Sequence, residues 1–135
     1  MVKPVLREEF HHDGRGPELQ RVHYCDRGAT IQAIDYFNPE DVYEPVYLKH
    51  LLFTKPQVFM FTPEEVANCQ KSQVDWSKVG NAAIVLLGKS EWLQSFDQMH
   101  LGRCDHYLIM FYDEFLDIIC VGIQAKQGGY SKESA

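Results

Sequence analysis

No C-x-x-C pair occurs anywhere in this chain; its four cysteines, Cys25, Cys69, Cys104 and Cys120, stand far apart. That spacing excludes the paired-thiolate zinc knuckle and the dithiol redox motif, both of which need close cysteines. No apolar run approaches the roughly 18–20 residues that a membrane-spanning helix requires, so no membrane partner is expected. The opening stretch reaches Arg7, Glu8 and Glu9 too early to be a secretory h-region. A cytoplasmic location with reduced thiols is the resulting expectation. Clustered positive charge is lacking too. The 13 lysines and arginines are scattered singly and the net charge is −6, which disfavours a nucleic-acid partner that must be met with cations. The G-x-S-x-G, G-x-x-x-x-G-K, G-x-G-x-x-G and H-E-x-x-H signatures are absent, removing the standard hydrolase, nucleotide-binding and zinc-protease readings.

What the chain does have is apolar and aromatic material, 45% and 13% of its 135 residues, enough to build the core of a single domain. Punctuation by turn formers divides it into short β-rich runs. Val5 to His12, Leu19 to Cys25 and Ala29 to Phe37 read as strands separated by Asp13-Gly14-Arg15-Gly16-Pro17 and Asp26-Arg27-Gly28. In the third run, apolar residues fall on both faces, predicting burial on two sides. Tyr47 to Phe53 and Gln57 to Phe61 read as two adjacent strands joined by Thr54-Lys55-Pro56. Ala82 to Leu87 is a continuous apolar run and predicts a strand covered on both faces.

Two helix starts stand out. Thr62-Pro63-Glu64-Glu65 has the cap, the proline and the third-position acid of a capping box, predicting a short helix to about Gln70. Ser90 caps a second, through Phe96, with Trp92, Leu93 and Phe96 on one face. The strongest element is the segment from Cys104 to Ile123, two β-rich runs split by Asp113-Glu114, which predicts a hairpin inside the sheet. The expected fold is α+β: a mainly antiparallel sheet of about six to eight strands with two short helices. Residues 1–125 are expected to form one domain and 126–135 a flexible tail.

Candidate chemistry is sparse. His100, Cys104 and His106 lie within seven residues and carry imidazole and thiolate, the donors zinc prefers; Cys69, His23 or the His11-His12 pair would have to complete the set. Zinc is therefore the alternative cofactor, with none the leading expectation. His11-His12-Asp13 has the residue types of a proton-transfer site, but neighbours on a strand point to opposite faces. Cys104 beside Asp105-His106 has the types of an activated thiol, although the adjacent carboxylate opposes thiolate formation. No catalytic residue is assigned. The carboxylate pairs Glu40-Asp41, Glu64-Glu65 and Asp113-Glu114 sit at helix starts and turns, where structural roles suffice. The many aromatics exceed what one face of a small sheet hides, which suits a groove or an interface.

The segment from Ser90 to Ile123 joins the capped Ser90-Glu91-Trp92-Leu93 to the pair of runs His106 to Glu114 and Asp117 to Val121. In this pattern it resembles the C-terminal half of small uncharacterised bacterial proteins, some of them similar to immunity proteins. The resemblance covers about a quarter of the chain. It implies binding and blocking of a toxin partner and carries no site residue. The acidic charge and surplus aromatics point to a non-enzymatic domain that works by protein contact, as a homodimer or as an inhibitor of a partner. A metal- or ligand-binding domain or small enzyme using His100, Cys104 and His106 is the alternative.

Overall fold

A computed structural model describes residues 2–13, 15–24, 31–66 and 74–131. Among these residues nine strands form two antiparallel sheets. The first sheet runs β1 (Lys3–Val5), β6 (Ile84–Gly88), β7 (Asp105–Met110), β8 (Glu114–Cys120) and β5 (Val58–Pro63) from edge to edge. The second runs β2 (Glu18–Tyr24), β3 (Ile31–Phe37), β4 (Lys49–Thr54) and β9 (Gly122–Gln127). The antiparallel character expected from the short turns is present, with one strand more than the expected range. No helix among the described residues is long and apolar enough to cross a membrane.

One ribbon passes from sheet to sheet. β4 pairs with β9 and β5 with β8, and the register steps by a single residue between Thr54↔Gly122 and Val58↔Ile119. The amides of Val121 and Gln57 donate to the carbonyls of Thr54 and Ile119 across the corner, both at 2.8 Å. Lys55, with φ at +48°, makes the bend in one arm, a conformation uncommon for a residue with a Cβ. Tyr47–Phe53 and Gln57–Phe61 thus yield two consecutive strands, but they pair with β9 and β8 rather than with each other. Sequence distance concealed this, because the partners lie at the far end of the chain.

The alternation along β7 and β8 sets the core. Tyr107, Ile109, Leu116, Ile118 and Cys120 face the second sheet, packing with Ile31, Ile34, Tyr36, Leu51 and Phe53. Each fully buried aliphatic side chain there stabilises the fold by about 1.5–3 kcal/mol. Leu108, Phe115 and Ile119 lie on the opposite face, under Val74, Val79, Leu93, Leu101 and Cys104 of the connecting segments. The hairpin is therefore covered on both sides and flanked by β6 and β5, as its apolar pattern predicted. Residues 111–113 connect the two strands, and the Phe111 amide donates to the Glu114 carbonyl at 2.9 Å.

Several expectations need correction. The strand expected from Val5 to His12 stops at Val5, because Leu6 takes φ of +52° and the chain turns back to place Phe10 in the core. Phe10 meets Tyr36 and Phe111 edge to face at 4.7 and 5.7 Å. The first expected helix is not formed over 62–66: Thr62 and Pro63 complete β5 opposite Phe115 and Glu114, so tertiary pairing overrides the capping box. Its remaining expected residues, 67–70, lie outside the described ones, as does the turn Asp26-Arg27-Gly28. The second expected helix exists but is short. α1 (Glu91–Gln94) is capped by Ser90, with 3-10 turns at Pro45–Tyr47, Trp76–Lys78 and Met99–Arg103 supplying the other helical geometry. The segment expected as a tail from 126 starts inside β9. Beyond it, Tyr130 donates its amide to Asp35 at 2.8 Å; residues 132–135 are outside the description.

Candidate functional site

The residues expected as zinc ligands are not brought together. His100 is exposed in the 3-10 turn before β7, whereas Cys104 and His106 are buried. Among the described residues no group of three or more His, Cys, Asp or Glu side chains has a metal-binding arrangement. Cys25 and Cys69 lie outside the description. Burial pushes the Cys104 thiol up, with Asp105 adding to the effect and Lys89 opposing it. The Cys120 thiol is pushed up to about 12, chiefly by burial. Both are therefore poor thiolates at neutral pH. His11 pairs with Glu40 at 2.9 Å instead of working with His12 and Asp13.

His106 instead anchors a buried polar chain. It lies diagonally across the β7–β8 ladder from Asp117, since His106 stands opposite Ile119 and Leu108 opposite Asp117. The ring Nε2 and the Asp117 carboxylate are 2.6 Å apart, and Nδ1 and the Ser90 hydroxyl 2.7 Å apart. Ser90 Oγ also accepts the Leu93 amide at 3.2 Å, capping α1. The Asp117 carboxylate accepts from Nε2–H, while Nδ1 and the Ser90 hydroxyl share the second hydrogen bond. The Gly88 backbone, at φ of +64° beside the β6–β7 register shift, turns the chain so that Ser90 reaches the ring. Trp92 covers the imidazole at a centroid distance of 4.8 Å.

Serine, histidine and aspartate in one chain are the groups of a hydrolytic relay, yet here His106 and Asp117 have no exposed surface and Ser90 has 9%. A nucleophile needs room for a substrate and an approach to it. Ser90 Oγ is occupied by a helix cap, so the chain ties β7, β8 and α1 together. In the sequence Ser90 stands out as a cap and His106 as a ligand, whereas Asp117 belongs to no motif. The available signal was a carboxylate inside the apolar run Phe115–Cys120, where burial demands a partner.

A second polar group holds the chain end to the other sheet. His23 Nε2 on β2 and Asp35 Oδ2 on β3 are 2.8 Å apart, and the other Asp35 oxygen takes the Tyr130 amide. His50 Nδ1 donates to the Gly128 carbonyl at 2.8 Å. Gly128, at φ of +80°, makes the turn that brings Tyr130 between the rings of His23 and His50, at 5.0 and 5.6 Å.

One of the open clefts among the described residues lies elsewhere, where the outer strands of the two sheets approach each other. Leu19 and Val22 of β2 and Phe61 and Pro63 of β5 line a cleft of about 620 Å³, with Glu65, Asp113 and Glu114 on its border. Tyr24 and Phe59 meet at 5.9 Å farther along the same two strands. The Glu114 carboxyl is held above its usual range by burial, then by the negative charges of Asp113 and Glu18. Arg15 pairs with Glu18 at 3.4 Å and lies over the Tyr112 ring at 4.9 Å. Part of the aromatic surplus is thus spent here, between two sheet edges, and part on the exposed Tyr43, Tyr47 and Tyr112. Comparison of the chain with known protein families, curated proteins and solved structures gives no match.

Proposed function

We propose that this is a non-enzymatic domain that acts by protein contact, with the β2–β5 cleft as its contact surface. The observation that carries the reading is the cleft itself: apolar side chains lie between two outer strands and carboxylates border them. Its size falls within the range of sites that take peptide side chains or small ligands. The buried Ser90–His106–Asp117 chain supports the same reading, because the residue types most suited to catalysis are used up in holding the scaffold. An immunity-like or inhibitory role, in which the domain covers a partner, is the form of contact that its acidic charge favours.

The test is affinity capture from the native host with the wild-type chain and with Glu65→Lys/Asp113→Lys, two changes at exposed positions. A stoichiometric protein retained by the wild type and lost by the variant, at equal thermal stability, is the expected result. A partner held equally by both, or a stoichiometric metal or small molecule with no protein, would overturn the proposal. Light scattering over a wide concentration range separates a self-partner from a foreign one.

A further inference from the structure

Resting on that reading, the geometry points to a particular occupant: an extended lysine- or arginine-bearing segment of a partner protein, which adds as a strand to the edge of β5 that no described strand covers. The hydrogen-bond phase of β5 comes first. The Glu64 amide donates to the Asp113 carbonyl at 2.8 Å, continuing the register in which Pro63 faces Glu114. Antiparallel bonding alternates, so Thr62, Met60 and Val58 exchange bonds with β8, while Phe59, Phe61 and Pro63 direct their backbone groups away from it. Pro63 has no N–H to offer, and its carbonyl accepts the Val66 amide at 3.0 Å. The available edge is therefore short and bounded, with Phe59 and Phe61 each offering one donor and one acceptor.

An added strand would place alternate side chains into the cleft and the others toward its border. Leu19, Val22 and Phe61 suit apolar side chains in the first set. Glu65, Asp113 and Glu114 gather at the Pro63 end of the cleft and suit cations at that end of the added strand. The charges acting on Glu114 are both negative, so an incoming cation relieves a repulsion that the free protein leaves in place. A helix, by contrast, would leave the Phe59 and Phe61 backbone groups unmet. An acidic segment would add like charge to the border.

Three capped six-residue peptides test this against the full chain by amide NMR: alternating lysine and valine, the same peptide N-methylated at alternate amides, and alternating glutamate and valine. The lysine–valine peptide is expected to shift the Phe59 and Phe61 amides and slow their hydrogen exchange at least tenfold. The other two peptides should bind at least tenfold more weakly, as should the first to Asp113→Asn/Glu114→Gln. Equal binding of the N-methylated peptide, unmoved Phe59 and Phe61 amides, concentration-dependent self-pairing through β5, or no binding at millimolar peptide would each overturn the inference. The broader proposal fails separately, when a captured partner ignores the Glu65→Lys/Asp113→Lys change. A partner that is sensitive to that change yet presents a helix at the cleft sinks only the strand.

Discussion

His106–Asp117 in the first sheet and His23–Asp35 in the second are built from the same groups, each lying diagonally across an antiparallel ladder. Their surroundings differ. The first pair is sealed, with both side chains at 0% exposure, and its third member is the serine that caps α1. The second retains 17% exposure at the histidine and 4% at the aspartate, and its third member is the backbone of the chain's last described turn. A buried ion or hydrogen-bonded pair thus takes its role from the groups that share it. One pair organises the interior, whereas the other fastens a terminal segment.

His106→Ala should break the comparison most severely. It leaves Asp117 buried without its imidazole and Ser90 without its ring partner, and removal of one member of such a pair costs about 3–5 kcal/mol. Urea unfolding is the measurement, and a loss below that of the Asp35 variant would contradict the contrast drawn between the pairs. Asp35→Ala should cost less, about 1–3 kcal/mol, since it removes acceptors for His23 and Tyr130 at a partly wet site. Its distinguishing sign is local: amide exchange at residues 125–130 should quicken while the β7–β8 amides stay protected.

Glu114→Gln gives the smallest effect and the opposite sign. Because the folded-state carboxyl titrates above its unfolded value, ionising it opposes folding. The favourable contribution is complete below the unfolded value and is lost as pH rises through the folded one. The glutamine variant should therefore be slightly more stable than wild type at neutral pH, by less than about 1 kcal/mol given solvent screening, and equal to it in acid. Thermal melts across pH 3–8 would show the two curves converging at the acid end (a range of about five pH units).

The sequence was most readable where a pattern needs one local reason. Ile84–Gly88 and the hairpin strands Asp105–Met110 and Glu114–Cys120 are apolar on both faces, and only a covered strand accommodates that, although the expected hairpin end at Ile123 belongs to the second sheet. Ser90 was readable as a cap for the same reason. Where a local signal competes with a distant partner, the partner decides the structure. Thr62-Pro63-Glu64-Glu65 has every mark of a helix start, yet the β8 ladder takes its first two residues. Gly122 and Ile123 read as the end of the hairpin and 126 onward as a tail, yet Gly122–Gln127 is one strand of the second sheet, its alternation of Ile123 and Ala125 with polar neighbours being brief and followed by glycines. Of the expected ligands, His106 is buried in a hydrogen-bonded chain with Ser90 and Asp117. The cleft was not legible at all, because it arises from two strand edges that meet only in three dimensions.

The ribbon shared by both sheets sets the order in which structure can accumulate. Its arms join residues far apart along the chain: Pro63 meets Glu114 at one end and Lys49 meets Gln127 at the other. Each of those closures spends chain entropy before any of its contacts repays it. Non-local pairing of this kind places a domain among the slow folders, on the millisecond-to-second scale of about 10⁻³–1 s. Since the same two arms serve both sheets, neither sheet has a complete set of neighbours until the bend at Lys55 has formed, and the two should emerge in a single kinetic phase.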